Sequence, residues 1–260
     1  MYKEELLTVE SYRSKEDHVA FVMKIIAIAA SIYGMCRSFS GWMFFTYFTN
    51  LSNIFVDIVL LVFAGFNWNR IRKDGKCPPV ANGWYIIKFM ATISITLTFL
   101  IYLLVLAPTD PSGFLGAYMG NGFGSLCVHF VCPVLAILDF CLFDYPYKSG
   151  RLHVFFSIVP PLCYVGGIVA LAYEGVRWNG TMYAPYNFLN FGAKTGWFGF
   201  DLSQIGKETL GIGVAYMIIL LVIIFIGIIN IFPTISIPII HATYTNNILT
   251  SMLSPIPMLS

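Results

Sequence analysis

Long uninterrupted runs of apolar residues are the feature that most limits what this chain can fold into. A helix that crosses a bilayer needs roughly 20 such residues, whereas a soluble core rarely does. Lipid offers no partner for an unpaired backbone amide, so each run is predicted to be helical. The sequence therefore predicts an all-α bundle of six transmembrane helices, over approximately residues 19–36, 43–66, 84–106, 123–143, 153–173 and 209–232.

The composition agrees with a membrane protein. Apolar residues make up 58% of the 260 positions and charged residues only 11%, whereas about a quarter of a soluble domain is charged. No connection between the runs is long enough for a second domain. We therefore predict one membrane domain over 1–260, which ends in a tail of low charge from 233 to 260.

Basic residues predict the orientation. If the N-terminus is inside, the inner segments hold nine of them and the outer segments four, which is the bias of a multi-pass protein with both termini inside. In a bacterium that membrane would be the plasma membrane. Lys24 and Lys88 fall just within the inner ends of their runs, where their amines are predicted to snorkel to the headgroups. The net charge of +2 gives no reason to expect a nucleic-acid partner.

A stripe of polar residues enters the second run. At 100° per residue, Thr46, Thr49, Asn53 and Asp57 fall within about 80° of one another on the second predicted helix. Polar groups at membrane depth usually face the bundle interior and are candidates for function. Interhelical hydrogen bonding is the favoured interpretation for Thr46, Asn50 and Ser52.

The fourth run carries His129, Pro133 and Asp139. A lone histidine in a long apolar helix needs a partner, so His129 is a strong functional candidate. Pro133 is interpreted as a tolerated kink. Asp57 and Asp139 fit either a supporting role at the site or simple pairing between helices.

Thr49 and His129 are predicted to lie at one depth. The second and fourth helices run in the same direction, and each residue is about six or seven positions from its start, roughly 10 Å below the surface. A hydroxyl and an imidazole at one level suggest a nucleophile and its general base. Asn53 or backbone amides of the glycine-rich stretch 113–124 are candidate oxyanion donors, although that stretch is more typical of a flexible loop.

Nothing in the sequence indicates a metal or an organic cofactor. The cysteines, at 36, 77, 127, 132, 141 and 163, form no Cys-x-x-Cys pair and no His/Cys cluster with zinc spacing. Buried apolar cysteine is the expected state. No glycine-rich phosphate loop or nucleophile elbow is present in the sequence.

Three short segments carry a family resemblance. Phe48-Thr49-Asn50-Leu51-Ser52-Asn53, the spacing of His129, Pro133 and Asp139, and Tyr183-Ala184-Pro185-Tyr186-Asn187-Phe188-Leu189-Asn190 occur in that order. Together they resemble the six-span membrane threonine hydrolase family of the androgen-induced protein and the androgen-dependent TFPI-regulating protein, and most closely its prokaryotic branch. Asn190 stands where that family has an acidic residue.

The resemblance implies an intramembrane hydrolase that cleaves fatty-acyl esters taken from the bilayer. Thr49 would be the nucleophile and His129 the base, with Asn50, Asn53, Asp57 and Asp139 in supporting positions. Aromatic residues after the fifth run are expected to form an interfacial belt. Alternatively, three of them would form a roof over an acyl-chain site: Tyr183, Tyr186 and Phe188.

Two other function classes stay open at this point. A small-solute or proton-coupled transporter would use Asp57, His129 and Asp139 as a relay, but the sequence shows neither inverted repeats nor paired broken helices. A non-catalytic membrane scaffold would use every polar contact to hold helices together. A packed space between the second and fourth helices would favour the scaffold, and an apolar cavity that reaches Thr49 would favour the hydrolase.

Overall fold

Most of the residues that the structure describes are helical, as the apolar runs predict. The structure, a computed structural model, describes residues 2–144, 151–205 and 210–227, except for the side chains of 2–14, 151, 152 and 154. Its seven helices, in chain order, are α1 (Tyr2–Ser38), α2 (Phe48–Arg72), α3 (Asn82–Thr109), α4 (Gly113–Met119), α5 (Gly124–Phe143), α6 (Arg151–Tyr173) and α7 (Val214–Gly227).

Five of these helices contain stretches long and apolar enough to cross a membrane: α1, α2, α3, α5 and α6. They confirm the first five predicted runs as helices. The described part of α7 covers only 14 residues of the predicted sixth run. The remainder of that run, from 228, and the tail 233–260 lie outside the described residues.

The second helix begins later than its apolar run suggests. Residues Trp42–Thr46 form a separate 3₁₀ turn, and Tyr47 is extended, with φ −94° and ψ 129°. Only then does α2 begin, at Phe48. Hydropathy does not detect this break because the residues on both sides of it are aromatic. Thr49 is therefore the second residue of its helix instead of about the seventh.

Four helices form a closed ring around the core. Helix α1 packs against α2 and α5, and α3 packs against the same two from the other side. Helix α6 lies outside the ring against α3. Buried aliphatic side chains from α2, α3 and α5 fill the centre, including Val56, Leu60, Ile95 and Ala136. The ring places the polar face of α2 between α1 and α5.

Glycines allow α1 and α5 to approach closely at the end where α5 begins. A Cβ atom on Gly34 would lie 2.6 Å from the carbonyl oxygen of Gly124, and one on Gly124 would lie 2.9 Å from Cβ of Arg37. Small residues at helix contacts in membranes let backbones approach in this way. Gly124 of the predicted flexible stretch is thus a packing residue.

A buried cluster of four charged side chains joins α1, α3 and α5 at the opposite end. The Lys24 amine lies 2.6 Å from Asp139 Oδ1, and the Lys88 amine lies 2.6 Å from Asp139 Oδ2 and 2.5 Å from Asp144 Oδ2. Lys24 is 2% exposed and Lys88 is fully buried. The prediction that both amines snorkel to the surface is therefore wrong, because carboxylates on α5 pair with them inside the bundle.

The buried cluster predicts that loss of a buried ion pair lowers the free energy of unfolding much more than loss of an exposed one. Asp139→Asn should destabilise the folded protein by about 3–5 kcal/mol, because it leaves buried amines without their counter-charge. Lys194→Ala is the control, since Lys194 is 71% exposed and pairs with Asp201 at 3.2 Å. That variant should change stability by less than about 1 kcal/mol. Thermal unfolding in detergent measures both, and equal effects would contradict the prediction.

Candidate active site

A cavity opens at the end of the bundle where α1 ends and α2 begins. Its volume is about 350 Å³, and many of its wall residues are polar. We call it the polar cavity; it is lined by Ser38, Ser40, Phe44, Tyr47, Thr49, Asn50, Tyr102, Leu106, Asn121, Ser125, Val128, His129 and Tyr186. Both residues predicted as catalytic thus contribute to one cavity wall.

Thr49 is held in the first turn of α2 by a residue from the α6–α7 loop (174–213). Its backbone N–H donates to the phenol oxygen of Tyr186 at 3.3 Å, and its hydroxyl lies 3.4 Å from the same oxygen. The side chain of Tyr47, the N-cap residue of α2, makes no capping hydrogen bond. Tyr186 therefore satisfies one of the amides that every helix start leaves without an intrahelical partner.

His129 lies in a π-helical turn, Cys127–Val131, near the start of α5. The N–H of Cys132 reaches back to the carbonyl of Cys127, five residues earlier. Pro133 follows directly, and since it has no N–H it cannot bond to the carbonyl of His129 as an α-helix requires. Single π turns are often found at functional sites.

Tyr102 lies in a matching π-helical turn of α3, Tyr102–Leu106, in which the N–H of Ala107 bonds to the carbonyl of Tyr102. This turn also precedes a proline, Pro108. The two turns bring the rings of Tyr102 and His129 into a stack, with centroids 3.5 Å apart and planes 12° from parallel. The stack fixes the plane of the imidazole.

The phenol of Tyr102 is anchored at its other end. Its hydroxyl lies 2.7 Å from the carbonyl oxygen of Ala117 and 2.7 Å from the Ser125 hydroxyl. His129 Nδ1 is buried and has no hydrogen-bond partner among the described residues. The imidazole is thus positioned by ring stacking rather than by an acidic side chain.

No hydrogen bond joins the Thr49 hydroxyl to the His129 ring. The hydroxyl lies against Tyr186 and the imidazole against Tyr102, on the same cavity wall. A base that acts on a nucleophile must come within hydrogen-bond reach, although such contacts are often long in the absence of substrate. Catalysis would require the Thr49 side chain to turn from Tyr186 toward His129.

A second space lies on the other side of Thr49 and Tyr186. This apolar cavity, about 60 Å³ in volume, has walls from α2, α3, α6, α7 and the α6–α7 loop. It shares Thr49, Leu106 and Tyr186 with the polar cavity and is otherwise mostly aliphatic or aromatic. Thr49 thus lies in a wall between a polar and an apolar space.

A lateral groove of about 380 Å³ runs between α2 and α6. Phe48 and Tyr164 line both this groove and the apolar cavity. Two rings therefore stand between the apolar cavity and the groove.

The amide of Asn53 serves helix packing. Its Nδ2 donates to the carbonyls of Thr49 at 2.8 Å and Val128 at 3.2 Å, and its Oδ1 accepts from Ser31 at 3.1 Å. Both amide protons are thus used, so Asn53 offers no free donor for an oxyanion. Asn50 lines the polar cavity and donates to the carbonyl of Phe44 at 2.8 Å.

The two aspartates lie far from the candidate pair along their helices. Asp57 is eight residues beyond Thr49 and Asp139 ten beyond His129, which is about 12 and 15 Å of helix. The Asp57 carboxylate is buried, and neither of its oxygens lies within hydrogen-bond geometry of a donor among the described residues. The Ser31 hydroxyl donates to Asn53. Asp139 is bound by two lysines, so it does not orient His129.

Part of the predicted aromatic belt turns inward. Trp178 is fully buried, and its indole N–H donates to the Thr46 hydroxyl oxygen at 2.8 Å. Tyr186 and Phe188 line the apolar cavity, as a roof requires. Tyr183 lies elsewhere, against the guanidinium of Arg177 at 3.8 Å. The belt interpretation is therefore wrong for Trp178 and Phe188, because the loop folds over the helix ends and buries both side chains.

Sequence reasoning missed Tyr102, Ser125 and Tyr164 at the site. The prolines six residues after Tyr102 and four residues after His129 were an available signal, since each removes a helical N–H. No local signal marks Tyr164, whose hydroxyl donates to the carbonyl of Thr46 at 3.0 Å, because that contact joins residues 118 positions apart.

Comparison with known proteins adds no family assignment. The chain matches no protein-family model, no curated protein and no solved structure. Among the described residues, no group of three or more histidine, cysteine or acidic side chains is placed to hold a metal ion. The geometry of the site is therefore the basis for the proposed function.

The Thr46–Trp178 contact predicts how firmly the loop is held. Thr46→Val preserves shape but leaves the buried indole N–H without an acceptor, which should cost about 1–3 kcal/mol. Thr96→Val is the matched control, because the buried Thr96 hydroxyl donates only to the carbonyl of Thr92 in its own helix. Thermal unfolding and limited proteolysis of the loop should respond to Thr46→Val alone. Equal responses would show that Trp178 does not anchor the loop.

Proposed function

We propose that this protein is an intramembrane hydrolase of fatty-acyl esters, with Thr49 as nucleophile and His129 as general base. One observation carries the proposal: Thr49 lies in the wall shared by an apolar cavity and a polar cavity, and His129 lines the polar one. A nucleophile at such a boundary suits an amphiphilic ester. Its carbonyl reaches Thr49 and the acyl carbons next to it pack in the apolar cavity, which holds only a few methylenes, so the rest of the chain extends past Phe48 and Tyr164 toward the lateral groove.

The reaction proceeds by acyl transfer. Thr49 Oγ bonds to the ester carbonyl carbon, its proton passes to His129, and the carbonyl electron pair moves onto oxygen. Collapse of this intermediate breaks the bond to the alkoxide, which leaves as the alcohol with the proton from His129. Water from the polar cavity, activated in turn by His129, then releases the fatty acid and restores the Thr49 hydroxyl.

The surroundings of His129 support the role of a base. The Tyr102 ring stacks on the imidazole, and Asp139 lies ten residues further along α5, paired with two lysines. A neutral imidazole can accept a proton, and its fixed plane keeps the accepting nitrogen in one direction. Preorganisation of this kind lowers the cost of reaching the transition state.

The competing functions have less support. A proton relay through Asp139 would need a carboxylate that exchanges protons, but both its oxygens lie 2.6 Å from lysine amines. A scaffold would pack the space around Thr49, where two cavities lie instead. The hydrolase therefore remains the best supported proposal.

The catalytic pair gives a direct test. Thr49→Ala and His129→Ala should each lower the cleavage of a long-chain p-nitrophenyl ester by about 10⁴-fold or more, as loss of a nucleophile or its base does in other hydrolases. Both variants should also lose covalent labelling by a fluorophosphonate probe, while expression stays normal. Thr96→Val, a buried threonine on α3 away from the cavities, should keep wild-type activity. Full activity in Thr49→Ala would eliminate this mechanism.

We further propose a multi-pass membrane protein of six spans with both termini inside, in which α7 continues as the sixth span. This topology places the polar cavity toward the outer surface, from which water enters. The excess of basic residues between the second and third spans, including Arg70, Arg72, Lys73 and Lys76, supports the orientation.

Cysteine labelling tests this topology. In a variant without native cysteines, Ser112→Cys should react with a membrane-impermeant maleimide in intact cells. Lys73→Cys should react only after permeabilisation. Both side chains are exposed in the structure, so the membrane alone decides their access. The reverse pattern would show the opposite orientation.

A further inference from the structure

The phenol oxygen of Tyr186 contacts Thr49 at both its backbone amide and its hydroxyl. It lies 3.3 Å from the Thr49 backbone nitrogen and 3.4 Å from the Thr49 hydroxyl oxygen. Tyr186 also lines both the polar and the apolar cavity. Any group that reaches Thr49 from either cavity therefore meets this phenol.

The ring of Tyr186 is fixed by its neighbours. Phe188 stacks on it, with centroids 5.3 Å apart and planes 13° from parallel. Tyr47 meets it edge to face at 5.9 Å. The 3₁₀ turn that follows Tyr186 is closed by the N–H of Leu189, which donates to the Tyr186 carbonyl at 2.9 Å. These contacts hold the phenol in place without substrate.

The loop that carries Tyr186 is tied to the 3₁₀ turn before α2 and is closed on itself around Tyr186. Upstream, the buried indole of Trp178 bonds to Thr46. Downstream, the buried side chain of Asn190 accepts a hydrogen bond from the N–H of Tyr183 at 2.9 Å. Tyr186 lies between Trp178 and Asn190, so the fold of the loop, together with its ring contacts, holds its position relative to Thr49.

The direction of the hydrogen bonds leaves the phenol proton available. The oxygen accepts from the Thr49 N–H. In its contact with the Thr49 hydroxyl either oxygen can be the donor, so the phenol proton is free to turn to that hydroxyl or to a group that replaces it. Burial raises the pKa of Tyr186 above its ordinary value, so the group stays a neutral donor near pH 7. When Thr49 turns toward His129, this donor loses its acceptor.

We propose that Tyr186 is a catalytic residue that donates a hydrogen bond to the oxyanion formed when Thr49 attacks an ester. This inference rests on the proposed hydrolase function. The oxyanion is bonded to the same carbon as Thr49 Oγ, which brings it beside the phenol. An effective donor lies about 2.7–3.1 Å from that oxygen. No proton is transferred: the phenol keeps its proton, and the oxyanion pair re-forms the carbonyl as the alcohol leaves.

Tyr186→Phe tests the donor. Phenylalanine keeps the ring contacts but removes the hydroxyl, so kcat should fall by about 10²–10³-fold, as when an oxyanion donor is removed elsewhere. KM should stay nearly unchanged, because the interaction forms mainly in the transition state. Tyr173→Phe is the control, since Tyr173 is 76% exposed at the end of α6 and should leave both constants unchanged.

A fluorinated tyrosine separates donation from a capping role. Site-specific 3-fluorotyrosine at 186 has a more acidic phenol, which donates more strongly and accepts more weakly. If Tyr186 donates to the oxyanion, kcat should exceed that of the wild type at a pH where the phenol stays protonated, and an unchanged kcat would count against donation. If its hydroxyl only accepts the Thr49 N–H, both kcat and the unfolding temperature should fall, which would overturn the inference. This variant also decides the question if Tyr186→Phe does not fold.

The outcomes distinguish this inference from the proposed function. Inactive Thr49→Ala and His129→Ala together with wild-type kcat in Tyr186→Phe would overturn the role of Tyr186 and keep the hydrolase. Activity in Thr49→Ala would overturn both. Both would be supported if Thr49→Ala and His129→Ala are inactive, Tyr186→Phe has a lower kcat, and the fluorotyrosine variant responds as expected.

Discussion

A polar group inside an apolar bundle must find its partner within the protein, and much of this structure follows from that constraint. At one end, Asp139 binds Lys24 and Lys88 and joins three helices. Near the other end, Asn53 accepts a hydrogen bond from α1 and donates to carbonyls of α5 and of its own helix. These two clusters set the spacing of the ring of helices, and the cavities lie beyond the second one.

Proline places the candidate base within this ring. Pro108 and Pro133 each remove one N–H from a long helix, and a π-helical turn precedes each of them. The two turns bring Tyr102 and His129 into contact as a flat stack. A regular helix on either side would change the direction of both rings. The backbone hydrogen bonds lost at the two prolines thus accompany the helical turns that orient the rings of Tyr102 and His129.

The α6–α7 loop completes the site because it folds over the start of α2. Trp178 bonds to Thr46, and Tyr186 bonds to the first turn of the same helix. Thr49 consequently lies between two cavities of opposite character. An ester with an apolar chain and a polar carbonyl fits such a boundary, and this is why the hydrolase proposal centres on Thr49 rather than on the buried aspartates.

The sequence by itself determined the class of fold: apolar runs of bilayer length must be helical, and five of them are long helices in the structure. It also made Thr49 and His129 the candidate pair, because both are predicted at one depth and the family resemblance points to the same two residues. Only the tertiary structure decided that Lys24 and Lys88 are buried, that Asn53 has no free donor and that Tyr186 contacts Thr49. Each of these depends on a partner distant in the chain. The periodicity of apolar residues cannot predict such a partner, because it describes one helix at a time. Hydropathy records the cost of leaving a group in lipid, whereas the identity of its partner is settled only when the helices and the loop pack together.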